Sequence, residues 1–192
     1  IAFRNLKTGG DAAAVNVTCI APVGLADNDI LLYCIYKENT NAITWPTGFT
    51  EVGNQANGSV MVAVAWKRAA SESGSYLASW TGSVFVDGIL LAYSGCATAG
   101  DPDDATPTKT TGSALNAVNC AAITTVTDGD MLIAVGSNSG GTGNTWTATS
   151  TWTVRGNFDD LGTEELAQAT HGTQAAFTFP TGTTAVTCQS IT

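Results

Sequence analysis

Ala26-Asp27-Asn28-Asp29-Ile30-Leu31-Leu32 and Thr127-Asp128-Gly129-Asp130-Met131-Leu132-Ile133 are two versions of one pattern, 101 residues apart (127 − 26). A second pair follows: Gly48-Phe49-Thr50-Glu51-Val52-Gly53-Asn54 returns as Thr151-Trp152-Thr153-Val154-Arg155-Gly156-Asn157, 103 residues on (151 − 48). An offset that drifts by two is what a duplicated β unit with slightly different loops gives. A repeat of this kind decides architecture before any chemistry is considered.

Around these turns, apolar runs of strand length recur at 15–20, 30–36, 60–66, 75–80, 89–93, 119–125, 131–135, 151–154, 166–170, 175–179 and 185–191. Asn57-Gly58, Asp87-Gly88, Asp128-Gly129 and Gly140-Gly141 separate them as turns. The run 60–66 is apolar at successive positions and fits a strand buried on both faces. No twelve-residue window carries a helical stripe free of glycine and β-branched residues. The expectation is an all-β chain of about a dozen strands. It forms a β-sandwich or jelly-roll-like fold, built from two similar halves of about a hundred residues. One domain over 1–192 is expected, with repeat units near 12–96 and 113–192. The Thr-, Asp- and Pro-bearing stretch 97–112 joins them as an exposed loop with an edge strand.

Of the 192 residues, 44% are hydrophobic and 12% charged, the balance of an ordered, packed chain. Sixteen acidic residues against seven basic ones give a net charge of −9. That surface repels phosphate backbones and anionic lipid, so neither nucleic acid nor membrane is an expected partner. No apolar run reaches the ~18 residues of a membrane span, and no signal peptide is visible.

The five cysteines, Cys19, Cys34, Cys96, Cys120 and Cys188, form no Cys-x-x-Cys pair, which argues against zinc and dithiol chemistry. Two readings stay open: buried free thiols packing as small hydrophobes, or disulfides with an odd thiol left to link subunits. Cys19 and Cys120 occupy matching places in the two units.

Asp27-Asn28-Asp29 and Asp128-Gly129-Asp130 carry oxygens that suit calcium, but without EF-hand spacing they read as turns whose side chains accept local hydrogen bonds. Asp101-Pro102-Asp103-Asp104 and Asp159-Asp160 read as solvated loop charges. His171 is the one histidine; it matches a position near Lys67 in the first unit, at an exposed strand end, and no Gly-x-Ser-x-Gly accompanies it. Glu38, Glu51, Glu72, Glu164 and Glu165 could pair for glycoside hydrolysis only if buried together, and their turn-rich surroundings give no sign of burial. No catalytic residue, metal site or cofactor is expected. Trp45 and Trp146 align between the units in turn-like segments, where an exposed ring could stack on a sugar; core packing is the commoner use of such rings. Asn16-Val17-Thr18 and Asn57-Gly58-Ser59 fit the glycosylation triplet, which chance also produces.

The run Ala26–Leu32, then Trp45-Pro46-Thr47-Gly48-Phe49-Thr50-Glu51-Val52, Ala65-Trp66-Lys67-Arg68-Ala69 and Leu91-Ala92-Tyr93-Ser94-Gly95 resembles a family of β-sandwich proteins in bacteriophage structural modules and bacterial surface proteins. The family pattern is Gly-Asp before a hydrophobic strand, Pro-x-Gly-Trp-Thr, an aromatic before x-Arg, then Ala-Tyr-x-Gly. Asn28-Asp29 replaces Gly-Asp and Phe49 replaces Trp in the first unit; Gly129-Asp130 and Trp152-Thr153 restore both in the second. The resemblance spans most of the chain and rests on structural residues. It implies a non-enzymatic structural protein on a bacteriophage virion surface, either a capsid decoration or a tail-associated protein. Its implied partners are coat or tail proteins and further copies of itself. The competing expectation is a carbohydrate-binding module or adhesin using Trp45 and Trp146.

Overall fold

The computed structural model describes residues 1–113, 116–139, 144–182 and 187–192. Among the described residues there is no helix, hence none long and apolar enough to cross a membrane. The Gly140-Gly141 turn and positions 185–186 of the run 185–191 lie outside the described residues.

The strands are β1 (Ala2–Ile20), β2 (Ile30–Lys37), β3 (Thr50–Asn57), β4 (Val60–Arg68), β5 (Ser75–Ser94), β6 (Lys109–Gly112) and β7 (Ala117–Cys120). Then come β8 (Ile123–Thr124), β9 (Asp130–Asn138), β10 (Thr153–Phe158), β11 (Leu161–Gln168), β12 (Thr173–Gln174), β13 (Phe177–Pro180) and β14 (Cys188–Ile191). One five-stranded antiparallel sheet has the order β1-β5-β2-β4-β3, and a second has the order β6-β14-β9-β11-β10. Read in chain order, the two orders place corresponding strands in corresponding positions. The pairing agrees in detail. Cys19 faces Tyr76 and Val17 faces Ala78; 101 residues on, Cys120 faces Phe177 and Val118 faces Phe179. The ladder slips at Val52 against β4 and at Arg155 against β11, again at matching places.

Three apolar clusters organise the packing. Val17, Cys19, Leu31, Tyr33, Tyr76 and Trp80 fill the outer side of the first sheet, covered by Ile43, Trp45 and Phe49 from the loop after β2. Val118, Cys120, Leu132, Trp146, Trp152 and Phe179 do the same for the second. Between the sheets, Val62, Val64, Ile89 and Leu91 meet Val135, Leu161 and Ile191. Each central strand is therefore buried on both faces, which explains the continuous apolar runs in β2 and β4.

Three expectations are corrected. Asp87-Gly88 is no turn: β5 runs unbroken from Ser75 to Ser94, with Gly88 opposite both Gly9 and Ile35. β1 begins at Ala2, earlier than the expected unit, and its bend needs a glycine because a Cβ on Gly9 would lie 2.3 Å from Thr18 O. The register of β11 puts Leu166, not His171, at the place corresponding to Lys67, since Lys67 faces Leu31 and Leu166 faces Leu132.

Candidate functional site

The two Asp-bearing turns are built alike. Asn28 (φ 70°) and Gly129 (φ 85°) are left-handed, a conformation that Asn and Gly tolerate best. The N–H of Asn28 donates to Ala69 O at 2.9 Å, and that of Gly129 to Gln168 O at 3.1 Å. Asp27 Oδ1 accepts from Ser71 N–H at 2.6 Å; Asp128 Oδ1 accepts from His171 N–H and meets His171 Nδ1, both at 2.7 Å. These carboxylates hold loops. Among the described residues no group of three or more His, Cys, Asp or Glu side chains could hold a metal ion.

The next residue differs between the turns. Asp29 is buried and ion-paired to Arg4 Nε at 2.6 Å, and its Oδ2 also accepts from Ala26 N–H at 2.8 Å. Its counterpart Asp130 has no ion pair among the described residues; its Oδ2 is shut from solvent, and the nearest polar partner of its carboxyl is another carboxylate, Asp104. Counting 101 residues on from Arg4 gives Ala105. Burial, with the Asp104 and Asp128 carboxylates beside it, holds Asp130 above the usual carboxylate range.

Asp130 and Ala105 border an apolar cavity of about 160 Å³ between the sheets. Leu32, Val64, Tyr93, Met131, Ile133 and Val135 line it. Leu32 and Ile133 occupy corresponding places in β2 and β9, and both stay half-buried although they point into the inter-sheet core. The cavity meets a wider mouth of about 310 Å³ edged by Asp101, Asp103, Asp104, Asp128 and Asp130. The joining segment roofs both. Arg68 donates to Ala97 O and, at 3.0 Å, to Gly100 O, which ties the segment to the first half. Asp104 accepts from the N–H groups of Val126 and Thr127 and from the Thr127 hydroxyl, which ties it to the second. Cys96 lies on the cavity wall and the mouth.

A second polar cluster, buried where the β10–β11 turn docks on β5, corrects the reading of Asp159-Asp160 as solvated. Asp160 is 4% exposed and Asp87 2%. The N–H of Asp160 donates to Asp87 Oδ2 at 2.9 Å, and Asn144 Nδ2 donates to Asp160 Oδ1 at 2.6 Å. Burial pushes Asp87 up to about 7; burial and the neighbouring Asp159, Asp87 and Glu38 carboxylates push Asp160 up to about 8.

The glutamates do not converge. Glu164 and Glu165 are buried, against expectation, but adjacent residues of a strand face opposite ways. Glu164 accepts from Thr149 N–H and its hydroxyl, at 3.2 and 3.3 Å; Glu165 pairs with Arg155 at 2.6 Å. Glu72 meets Lys67 at 2.7 Å and Tyr76 OH at 2.7 Å, while Glu51 accepts from Trp45 Nε1 at 2.8 Å. Glu38 is exposed. His171 is exposed beside Asp128. Lys37, which sequence reasoning did not single out, is fully buried; its ammonium donates to Asn39 O at 2.8 Å and Asn41 O at 2.6 Å and lies over Trp80.

The two tryptophans part company. Trp146 is 3% exposed, packs on Phe179 with ring centroids 4.7 Å apart and donates to Asp159 O, which leaves no face for a sugar and corrects that expectation. It sinks because β11 has Gly162 beneath it, where a Cβ would lie 2.2 Å from the indole. In the first half Ala63 stands at the corresponding place and Tyr33 fills the floor, so Trp45 rides higher, half-buried and edge-on to Tyr33 at 6.0 Å. All five cysteines are free thiols; Cys19, Cys34, Cys120 and Cys188 are buried and Cys96 half-buried. Burial pushes Cys19 up to about 11 and Cys120 up to about 12.

Compared with known proteins, the chain matches no family model, no curated protein and no solved structure.

Proposed function

We propose that the chain is a non-enzymatic structural protein of a bacteriophage virion, a capsid decoration or tail-associated protein that binds coat or tail proteins and copies of itself at the virion surface. The observation that carries this reading is the division of labour between repeated and unrepeated residues. What recurs at matching places is scaffold: strand order, left-handed Asp turns, bulges and covering aromatics. The groups with chemical reach are used singly. Glu164 holds Thr149, Glu165 holds Arg155 and His171 holds Asp128. The family-like motifs lie in that repeated scaffold, and the net charge of −9 disfavours a nucleic-acid role. Cryo-electron microscopy and peptide mass spectrometry of virions from a phage encoding the chain test the reading. Density of matching fold on head or tail supports it; virions free of the chain overturn it.

A further inference from the structure

We infer that the inter-sheet cavity and its acidic mouth take a segment of a partner protein that presents one apolar side chain next to a lysine or arginine. The inference stands on the geometry of the site, whether or not the chain is a virion protein. The apolar part is sized for a single group: an apolar protein cavity of roughly 150 Å³ admits benzene, and this one is about 160 Å³. Leu32, Met131 and Ile133, half-buried on its walls, are the surface such a group would cover.

The chain itself supplies the pattern for the cation. At Asp29, Arg4 Nε sits 2.6 Å from the carboxylate. At the corresponding Asp130 the residue 101 places on from Arg4 is Ala105, which borders the cavity and brings no charge. Asp130 Oδ2 is shut from solvent with no cation beside it, its carboxyl meeting only the carboxylate of Asp104. Desolvated carboxylate oxygens gain most from a charge-assisted donor. A lysine or arginine arriving from outside would take at Asp130 the place Arg4 takes at Asp29. Asp103, exposed on the same mouth, offers a second carboxylate contact. A peptide fits this arrangement better than a free amine. The mouth, about 310 Å³, is wider than the cavity behind it and is edged by carboxylates from the joining segment and from β9, so it accommodates more than one cation.

The test uses the full chain and the blocked peptide Gly-Lys-Phe-Lys-Gly, by titration calorimetry at low salt. Saturable binding is expected, weakened about tenfold or more by Phe→Ala or Lys→Glu in the peptide, by Asp130→Asn in the protein, and by high salt. Ala105→Arg supplies the missing cation internally and is expected to abolish binding while raising the melting temperature. Bound peptide is also expected to slow reaction of Cys96 with a thiol reagent, a readout that needs no variant. Absence of saturable binding to the unsubstituted chain overturns the inference. Binding indifferent to Asp130→Asn and Ala105→Arg, both melting cooperatively, overturns the site. Phenethylammonium binding as tightly as the peptide overturns the peptide as occupant.

Discussion

The main-chain N–H of Asp160 reaches across 73 residues to donate to Asp87 Oδ2 at 2.9 Å, so the turn of one sheet is held by a buried carboxylate of the other. Neither carboxylate has an ion-pair partner among the described residues. Both are protonated more readily in the fold than in the unfolded chain, with Asp87 up to about 7 and Asp160 up to about 8. A raised carboxylate binds extra protons in the folded state, so its contribution is complete below the unfolded value, near 4, and is lost as pH rises through the folded one. Stability is expected to fall by on the order of a few kcal/mol between pH 5 and pH 8. Glu164, also raised by burial to about 7, adds to the same slope. Urea melts across that range check this: Asp87→Asn should flatten the slope, and an unchanged slope would show that the pair is already relaxed by water.

Trp146 and Gly162 form a lock that the first half lacks. Gly162→Ala places a Cβ 2.2 Å from the indole, closer than any packing tolerates, and Phe179 blocks the ring's retreat. A loss of about 3 kcal/mol is expected. Trp146→Ala should cost ~3–5 kcal/mol as a large-to-small core change, and Trp45→Ala clearly less, because Trp45 is half-buried. Equal losses at the two tryptophans would contradict the packing described.

Thiol chemistry separates Cys96 from the rest. Burial raises the pKa of all five thiols, Cys96 included, so access rather than acidity makes the difference: four are buried and Cys96 is half-buried. A colorimetric thiol titration of the native chain should count one reactive group promptly and five after denaturation. Cys96→Ser should erase the prompt group and, with it, any subunit ladder on a non-reducing gel. Prompt reaction of two or more thiols would refute the placement.

Strands buried on both faces announce themselves, which is why β2, β4 and β9 were legible as apolar runs. Polar edge strands do not: β3, at a sheet edge, has one buried residue, Gly53, and falls in no apolar run, while of the edge strand β10 only Thr153 and Val154 do. Asp87-Gly88 has the composition of a turn, but its glycine is needed where β5 approaches Gly9 and Val17, a contact that only the folded chain creates. The cavity was hidden for a similar reason. Leu32 and Ile133 are a hundred residues apart and face one another's sheet only once both halves have packed. The repeat did hold one clue to the mouth: at the shared offset, Arg4 becomes Ala105 while Asp29 stays Asp130.

That asymmetry gives opposite expectations for the two aspartates. Arg4→Ala strands a buried Asp29 carboxylate without its cation. Because the guanidinium is itself partly exposed, the loss is expected to be about 1–3 kcal/mol rather than the full cost of breaking a buried pair. Asp130→Asn removes a carboxylate that has like charges at Asp104 and Asp128 and no cation, so it is expected to leave the melting temperature unchanged or raise it. The carboxylate is held above its ordinary value, so any gain should grow as pH rises above the unfolded value near 4 and shrink as pH falls below it, where the group takes up its proton in both states. Thermal melts of both variants at pH 4 and pH 7.5 check the contrast. A destabilised Asp130→Asn at pH 7.5 would mean that the carboxylate already has a cation in the folded chain, and the vacancy at Ala105 would lose its meaning.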